Sequence, residues 1–208
     1  LRWKHAKYDL ISPTKFIPIA EDSGFILQLN NWVFKEACKH FQEWKAQGIC
    51  LKHISINISG TQFNQENVVA NFQTMIKEIG IKAKEIELEI TEHYIMEDVL
   101  KSQSILEQLR KIGFNIAIDD FGTGYSSMSY LKKLPVDTIK IDKSFIDEIP
   151  YDTNDVAITK VILTLAKSLK YKVVAEGIES AEQEQFLIDQ ACDIGQGYLF
   201  GKPMGNEE

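Results

Sequence analysis

The sequence predicts an α/β fold built on a parallel sheet, and three observations support this prediction. Short runs rich in β-branched residues alternate with longer segments in which apolar residues recur at a helical period. Each gap between two strand-like runs is long enough for the crossover helix that parallel strands need. No low-complexity stretch, Pro/Gly-rich linker or shift in composition interrupts the pattern, so residues 1–208 are predicted to form a single domain.

Six strands are predicted from these runs. They span residues 53–58, 85–91, 115–120, 138–142, 172–176 and 194–200. Six parallel strands suit either an open, doubly wound sheet or a closed barrel. No Gly-x-Gly-x-x-Gly motif opens a strand–helix unit, which disfavours a dinucleotide-binding sheet. A (β/α)8 barrel has two more strands and about 250 residues, so a barrel would require that the first two strands are missing from this chain.

Helices are predicted between the strands. Ser12-Pro13 is typical of an N-cap followed by the first helical residue. The other predicted helices cover residues 26–44, 68–79, 99–111, 127–132, 156–169 and 181–190. In the helix over 26–44, the aromatic side chains of Trp32, Phe41 and Trp44 are expected to pack in the core, although part of this face could meet a partner domain instead.

Composition and charge exclude several classes of protein. Lys and Arg number 23 against 30 Asp and Glu, a net charge of −7, which argues against a nucleic-acid polymer as partner. The three cysteines, Cys38, Cys50 and Cys192, lack paired or metal-binding spacing and suit a reducing compartment. No apolar run approaches the 18 residues of a membrane span. We therefore expect a cytoplasmic domain that makes no membrane contact itself.

Polar side chains lie at the ends of successive predicted strands. These residues are Asn57, Glu89, Glu92, Asp119, Asp120, Lys140, Asp142, Glu176, Glu179 and, within the sixth strand, Gln196. At a single strand a polar loop residue is the simpler interpretation. At five successive strands the pattern favours an active site, because parallel strand ends converge at the C-terminal mouth of a barrel.

The residue types at these ends indicate a metal site. Glu89, Asp119, Asp120 and Glu176 near one point would repel one another unless a cation lay among them. Oxygen ligands suit Mg²⁺ or Mn²⁺ better than Zn²⁺. Two adjacent aspartates could hold two ions about 3.5–4 Å apart, a geometry that activates water for phosphoryl displacement. Lys140 could add positive charge at the transition state.

A longer motif carries a resemblance to a known family. Asp119-Asp120-Phe121-Gly122-Thr123-Gly124-Tyr125-Ser126-Ser127 resembles the EAL domain of bacterial cyclic di-GMP phosphodiesterases. Other blocks agree in order along the whole chain: Phe16-Ile17-Pro18-Ile19-Ala20-Glu21, Asn57-Ile58-Ser59, Glu89-Ile90-Thr91-Glu92, Lys140-Ile141-Asp142, Ala175-Glu176-Gly177-Ile178-Glu179 and Gln196-Gly197-Tyr198.

The resemblance implies a fold, an activity and a metal requirement. The fold is a TIM-like (β/α)8 barrel, and the activity is hydrolysis of cyclic di-GMP to the linear dinucleotide, which lowers second-messenger levels and so acts on biofilm regulation. The cofactors are Mg²⁺ or Mn²⁺, with two ions expected. Asn57, Glu89 and Asp119 resemble the ligands of one ion. Asp119 would bridge to a second ion that Asp120 also holds, and Glu176 acts close by as a catalytic residue.

The resemblance also implies roles for the remaining polar residues. Lys140 resembles the catalytic residue that positions or polarises the attacking water. Glu92 is similar to a glutamate that braces the loop after Asp120, a loop that links dimer formation to metal binding. The other implied roles are substrate contact by Arg2 and Gln196 and support of the site by Asp142 and Glu179. The implied partners are cyclic di-GMP, a second copy in a homodimer, and sensory or cyclase domains fused in a parent protein that could be membrane-anchored.

Two departures from the family pattern bear on activity. The glutamate of the Glu-Ala-Leu signature belongs just before Leu1, as does the strand ahead of it, and we expect a trimmed or disordered amino end rather than a natural loss. The 208 residues alone are therefore expected to be poorly active or inactive. Ala6 and Asp9 replace the usual Pro and Gly, with little effect expected on chemistry.

Two alternatives stay open at this point. The chain could be a receptor that binds cyclic di-GMP without cleaving it, an interpretation that the missing glutamate favours. It could also be a barrel enzyme that abstracts a proton, with Lys140 as the base and carboxylates on Mg²⁺. The adjacent pair Asp119-Asp120 favours a two-ion phosphodiesterase over the second alternative.

Overall fold

The structure, a computed structural model, describes residues 1–5, 7, 9–124 and 128–205. The chain divides into two compact units, Leu1–Glu87 and Leu88–Glu208, and each is described by itself. The assignment of residues 1–208 to a single domain stays a prediction.

Eight strands occur among the described residues. In chain order they are β1 (Trp3–His5), β2 (Asp9–Ile11), β3 (Ile54–Asn57), β4 (Ile86–Thr91), β5 (Asn115–Phe121), β6 (Thr138–Ile141), β7 (Lys172–Ala175) and β8 (Ile194–Gly195). β1 and β2 form an antiparallel pair that the sequence did not predict. The other six form a sheet in the order β3-β4-β5-β6-β7-β8, and β5 to β8 pair in parallel. The six predicted strands are thus confirmed, although the last one is only two residues long.

Nine α-helices lie in the described part of the chain. They are α1 (Pro13–Asp22), α2 (Ile26–Ala46), α3 (Gly60–Phe63), α4 (Val68–Ile79), α5 (Glu92–Glu97), α6 (Val99–Ile112), α7 (Met128–Leu131), α8 (Thr153–Leu169) and α9 (Ala181–Asp189). The predicted long helices are confirmed, whereas α3 and α5 are too short to show a periodic pattern. Ser127, which was predicted to begin a helix, lies outside the described residues. None of the helices described has the length and hydropathy of a bilayer-crossing segment.

The core of the first unit is built on one face of α2. Phe34, Cys38 and Phe41 are almost completely buried, and their spacing of four and three residues places them on a single helical stripe. The ring of Phe34 packs against that of Phe72 on α4, with ring centroids 5.3 Å apart. The expectation that Trp32 packs in the core is wrong, since 54% of this residue is exposed. Two residues along a helix rotate a side chain by about 200°, so Trp32 and Phe34 point in nearly opposite directions.

The core of the second unit is formed by the strands themselves. Ile116, Ala117 and Ile118 on β5 are fully buried, as are Ile139 and Ile141 on β6. Such continuous apolar runs are typical of parallel strands that are covered on both faces. A polar residue inside these runs is therefore costly unless it has a partner.

The packing of α2 yields a stability prediction. Replacing Phe34 with Ala should lower the free energy of unfolding by about 3–5 kcal/mol, because it removes a buried ring and leaves a cavity. Trp32→Ala, on the opposite side of the same helix, should change it by about 1 kcal/mol or less. Urea denaturation of both variants checks this, and equal losses would contradict the assigned core face.

Candidate active site

One buried ammonium group lies at the centre of the candidate site. Lys140 Nζ is 2.9 Å from Glu89 Oε2, 2.9 Å from Asp119 Oδ1 and 2.6 Å from Glu176 Oε1. Lys140, Glu89 and Asp119 are all buried, and Glu176 is half-buried. These are the predicted catalytic lysine and three of the predicted acidic residues, so the structure brings them together.

The order of the strands explains this convergence. Glu89 lies on β4, Asp119 on β5 and Lys140 on β6, and Glu176 directly follows β7. These four strands are consecutive in the sheet. The backbone N–H of Glu176 donates to the carbonyl of Ile141 at 3.2 Å, which holds the end of β7 beside the end of β6. Polar residues at the same level of neighbouring parallel strands consequently face one another.

A bulge in β5 adds a second aspartate to the cluster. Ile118 is paired with Ile139 and Phe121 with Ile141, so three steps along β5 match two along β6. Asp120 has a φ of +53°, in the left-handed region that Asp tolerates better than most residues. The bulge thereby directs the Asp119 and Asp120 carboxylates to the same place. A ligand oxygen from each of them and one from Glu176 lie within 4.8 Å of one another.

The ion pairs control the protonation of Lys140. Burial by itself would lower the pKa of this ammonium, but the charges of Glu89, Asp119 and Glu176 outweigh burial and raise the pKa above its ordinary value. Lys140 is therefore a fixed cation over the physiological pH range. It donates to carboxylates and does not act as a base in this arrangement.

The carboxylates keep an excess of negative charge. Burial raises the pKa of Glu176, and Asp119 and Glu89 raise it further against the opposing effect of Lys140. Burial also raises the pKa of Asp120, reinforced by Asp119 and by Asp142. The single positive charge of Lys140 does not balance the carboxylates of the cluster, which are those of Glu89, Asp119, Asp120 and Glu176. A set of carboxylate oxygens with surplus negative charge fits a hard divalent cation.

Glu92 supports the loop that follows Asp120. It is the first residue of α5, is only 1% exposed, and accepts a hydrogen bond from the Gly122 N–H at 2.8 Å. A Cβ added at Gly124 would lie 3.3 Å from Glu92 Oε1, so the carboxylate packs directly against the loop. The end of the motif, Tyr125 to Ser127, lies outside the described residues. The link between this loop and dimer formation stays a prediction.

Three further predicted residues lie around the cluster in the second unit. Asp142 accepts from the N–H of Ser144 at 3.0 Å and so begins the 3-10 turn Lys143–Phe145. Glu179 pairs with Lys143 at 2.8 Å. Gln196 is exposed, and its backbone N–H donates to the carbonyl of Ala175 at 2.9 Å.

The remaining two predicted residues belong to the first unit. Asn57 is the exposed last residue of β3. Arg2 is exposed, and its Nη1 donates to the carbonyl of Leu1 at 3.1 Å. Their roles as a metal ligand and a substrate contact stay predictions from the resemblance.

The sequence reasoning missed Lys143, which directly follows the block Lys140-Ile141-Asp142. Its Nζ lies 2.5 Å from Asp147 Oδ1 and 2.8 Å from Glu179 Oε1. Because it is a single exposed lysine at the start of a turn, nothing in its local pattern indicates that it joins two loops. Its position immediately after a site motif is the one available signal.

Comparison with known proteins identifies the family. The profile of the EAL domain matches residues 1–203. The chain belongs to the EAL domain family. This match confirms the predicted resemblance over residues 1–203.

Named relatives of this EAL domain include two proteins of Pseudomonas aeruginosa. The bifunctional diguanylate cyclase/cyclic di-GMP phosphodiesterase MucR is 41% identical over 208 residues, which are 100% of this chain and 30% of MucR. The cyclic di-GMP phosphodiesterase NbdA is 38% identical over 204 residues, 98% of this chain and 26% of NbdA. The chain thus spans less than a third of the length of either relative.

A solved structure has nearly the same backbone fold as this chain. The PaMucR phosphodiesterase in complex with c-di-GMP matches with a TM-score of 0.96 and 41% identity, covering 99% of this chain and 83% of that one. The predicted α/β fold, an EAL-type TIM-like barrel, is confirmed by this match, with six of its strands in the main sheet of the described residues.

The ion pairs of Lys140 predict a large effect on stability. Lys140→Met keeps most of the aliphatic stem but leaves buried carboxylates without their cation, so it should lower the free energy of unfolding by about 3–5 kcal/mol. The folded pKa of Lys140 is raised, so this contribution is fully present below the unfolded value of about 10.4 and is lost only as pH rises through the folded pKa. Urea denaturation should therefore give the same difference in the free energy of unfolding between the unmodified protein and Lys140→Met at about pH 7 and at about pH 9. A matched change at the exposed Lys132 should have an effect within about 0.5 kcal/mol, and a loss of equal size there would contradict the assignment.

Proposed function

We propose that this EAL domain is a metal-dependent phosphodiesterase that hydrolyses cyclic di-GMP to the linear dinucleotide. The observation that supports it best is the joint presence of the Asp119–Asp120–Glu176 cluster and the buried Lys140 ammonium in a chain of this family. Relatives that cover the chain end to end are named for this activity.

The cluster supplies the ligands for the metal. Asp119, Asp120 and Glu89 would hold it, with Glu176 close by, and Asn57 is added on the resemblance alone. When bound, one or two Mg²⁺ or Mn²⁺ ions supply positive charge for the phosphoryl oxygens and lower the pKa of water.

The protein side chains then orient and deprotonate water. Lys140 is a permanent donor, held by three carboxylates, that can fix the attacking water or a phosphoryl oxygen. Glu176 lies close to Asp119 and Asp120 and is suited to accept the proton that water loses as its oxygen bonds to phosphorus. One ester P–O bond breaks as the new P–O bond forms, the proton taken up by Glu176 returns through solvent to the leaving ribose oxygen, and the ring opens to a linear product.

The wider setting of the domain is also a proposal. Relatives more than three times as long are consistent with fusion to sensory or cyclase domains in a parent protein. A homodimer in the cytoplasm, with the Glu92-supported loop coupled to its interface, follows from the resemblance.

The test measures cyclic di-GMP hydrolysis with Mn²⁺ or Mg²⁺. Both the 208-residue chain and a form carrying the Glu-Ala-Leu signature and its preceding strand ahead of Leu1 are assayed by chromatography of the product. The extended form should produce the linear dinucleotide, and a chelator should abolish turnover. Lys140→Ala and Asp120→Asn should each lower kcat by about 10²–10⁴-fold.

The controls separate the candidate functions. Each variant is first checked for folding by circular dichroism, and Lys132→Ala serves as a surface control that should keep normal turnover. Binding of cyclic di-GMP without hydrolysis by the extended form would replace the enzyme with a receptor. Hydrolysis that persists in the presence of a chelator would remove the metal-dependent mechanism.

A further inference from the structure

The residue after Glu176, Gly177, is in close contact with Lys143 in the neighbouring loop. Gly177 has a φ of +75°, and a Cβ built there would lie 2.3 Å from Lys143 Cγ and 2.8 Å from Lys143 Cβ and Cδ. The aliphatic stem of Lys143 therefore lies directly on the Gly177 backbone. Only glycine permits both this approach and this backbone conformation without strain.

The charged end of Lys143 fixes the same contact. Its ammonium bridges Asp147 at 2.5 Å, in its own loop, and Glu179 at 2.8 Å, two residues after Gly177. The hydrogen bonds with Asp147 and Glu179 raise the pKa of Lys143, so it stays charged. The stem and the charge thus join the loop after β6 to the loop after β7 at two points.

The opposite side of the segment is held by the loop after β8. A Cβ at Gly197 would lie 2.1 Å from the Ile178 carbonyl oxygen, so the two backbones are in close contact. Ile178 N–H donates to the Gln196 carbonyl at 3.1 Å, and Ile178 accepts from Leu199 N–H at 3.0 Å. The Glu176–Glu179 segment is consequently clamped between Lys143 on one side and the Gln196–Leu199 turn on the other.

A buried amide strengthens the same junction. Gln183, in the first turn of α9, is 6% exposed, and its Oε1 accepts from the Glu179 N–H at 2.7 Å. Its Nε2 donates to the carbonyls of Ile146 at 3.0 Å and Asp147 at 3.1 Å. The segment is thus anchored at Glu179 by Gln183 and at Glu176 by the bond of its N–H to the Ile141 carbonyl, and Lys143 contacts Gly177 between these two points.

We propose that Lys143 is a positioning residue for Glu176, an inference that rests on the proposed phosphodiesterase function. By pressing on Gly177 and holding Glu179, it sets the distance from the Glu176 carboxylate to Lys140 and to the two aspartates. The hydrogen bond from the Ile178 N–H to the Gln196 carbonyl also fixes the position of the Gln196 backbone relative to the Glu176 carboxylate.

The experiment compares Lys143→Ala, Lys143→Arg, Gly177→Ala and the double variant Gly177→Ala/Lys143→Ala in the form of the domain that turns over cyclic di-GMP. Lys143→Ala should lower kcat about ten- to hundredfold, the cost of a small misplacement of a catalytic group, with KM nearly unchanged. It should also weaken Mn²⁺ binding measured by calorimetry without substrate. Lys143→Arg keeps a stem and a charge and should restore most of both. In the double variant the shortened side chain at position 143 leaves space for the methyl group at position 177. The fold-loss of kcat should therefore be smaller than the product of the two single fold-losses.

The control is Lys167→Ala, an exposed lysine of α8 outside the site, which should match the unmodified protein. A Lys143→Ala variant that melts earlier but keeps kcat and Mn²⁺ affinity within about twofold, the usual scatter of independent effects, would overturn the positioning role. Single losses that multiply in the double variant would overturn the contact with Gly177. If the unmodified domain binds Mn²⁺ but has no turnover, the proposed function fails, and the Mn²⁺ affinities of the same variants still decide the positioning role.

Discussion

The site depends on the interaction of one buried ammonium with carboxylates from three neighbouring strand ends. Lys140 contacts Glu89, Asp119 and Glu176 at hydrogen-bonding distance, and all of these residues are buried except Glu176, which is half-buried. A buried charge is tolerable only with partners, so the lysine and the carboxylates constrain one another's positions. The residues proposed to do chemistry therefore also hold the C-terminal edge of the sheet together.

The same electrostatics connects structure to the proposed mechanism. A single cation leaves the acidic cluster with surplus negative charge, and burial, together with the neighbouring carboxylates, raises the pKa of Asp120 and of Glu176. Protonation or a divalent ion can relieve that surplus, and the second option is the one that activates water.

Much of the fold could be predicted because strong local patterns repeat. Apolar β-branched runs and helical periods located six strands and the long helices, and the polar strand ends located the cluster. Short elements and their ends were not predicted. Helix α5 follows β4 without a break, and β8 ends after Gly195 because the chain turns to contact Ile178. Such turns depend on close approach of residues that are distant in sequence, the Lys143 side chain at Gly177 and the Ile178 backbone at Gly197, which leaves no periodic signal.

The sequence by itself determined the family, the alternation of strands and helices, and the residue types at the strand ends. It could not determine which side chains meet. Adjacent residues of a regular strand point to opposite faces, so strand periodicity alone would separate Asp119 from Asp120. The bulge in β5 and the left-handed backbone of Asp120 bring both into one cluster. Only the tertiary structure decided this, because the pairing of β5 with β6, the next strand of the sheet, sets where the extra residue is accommodated.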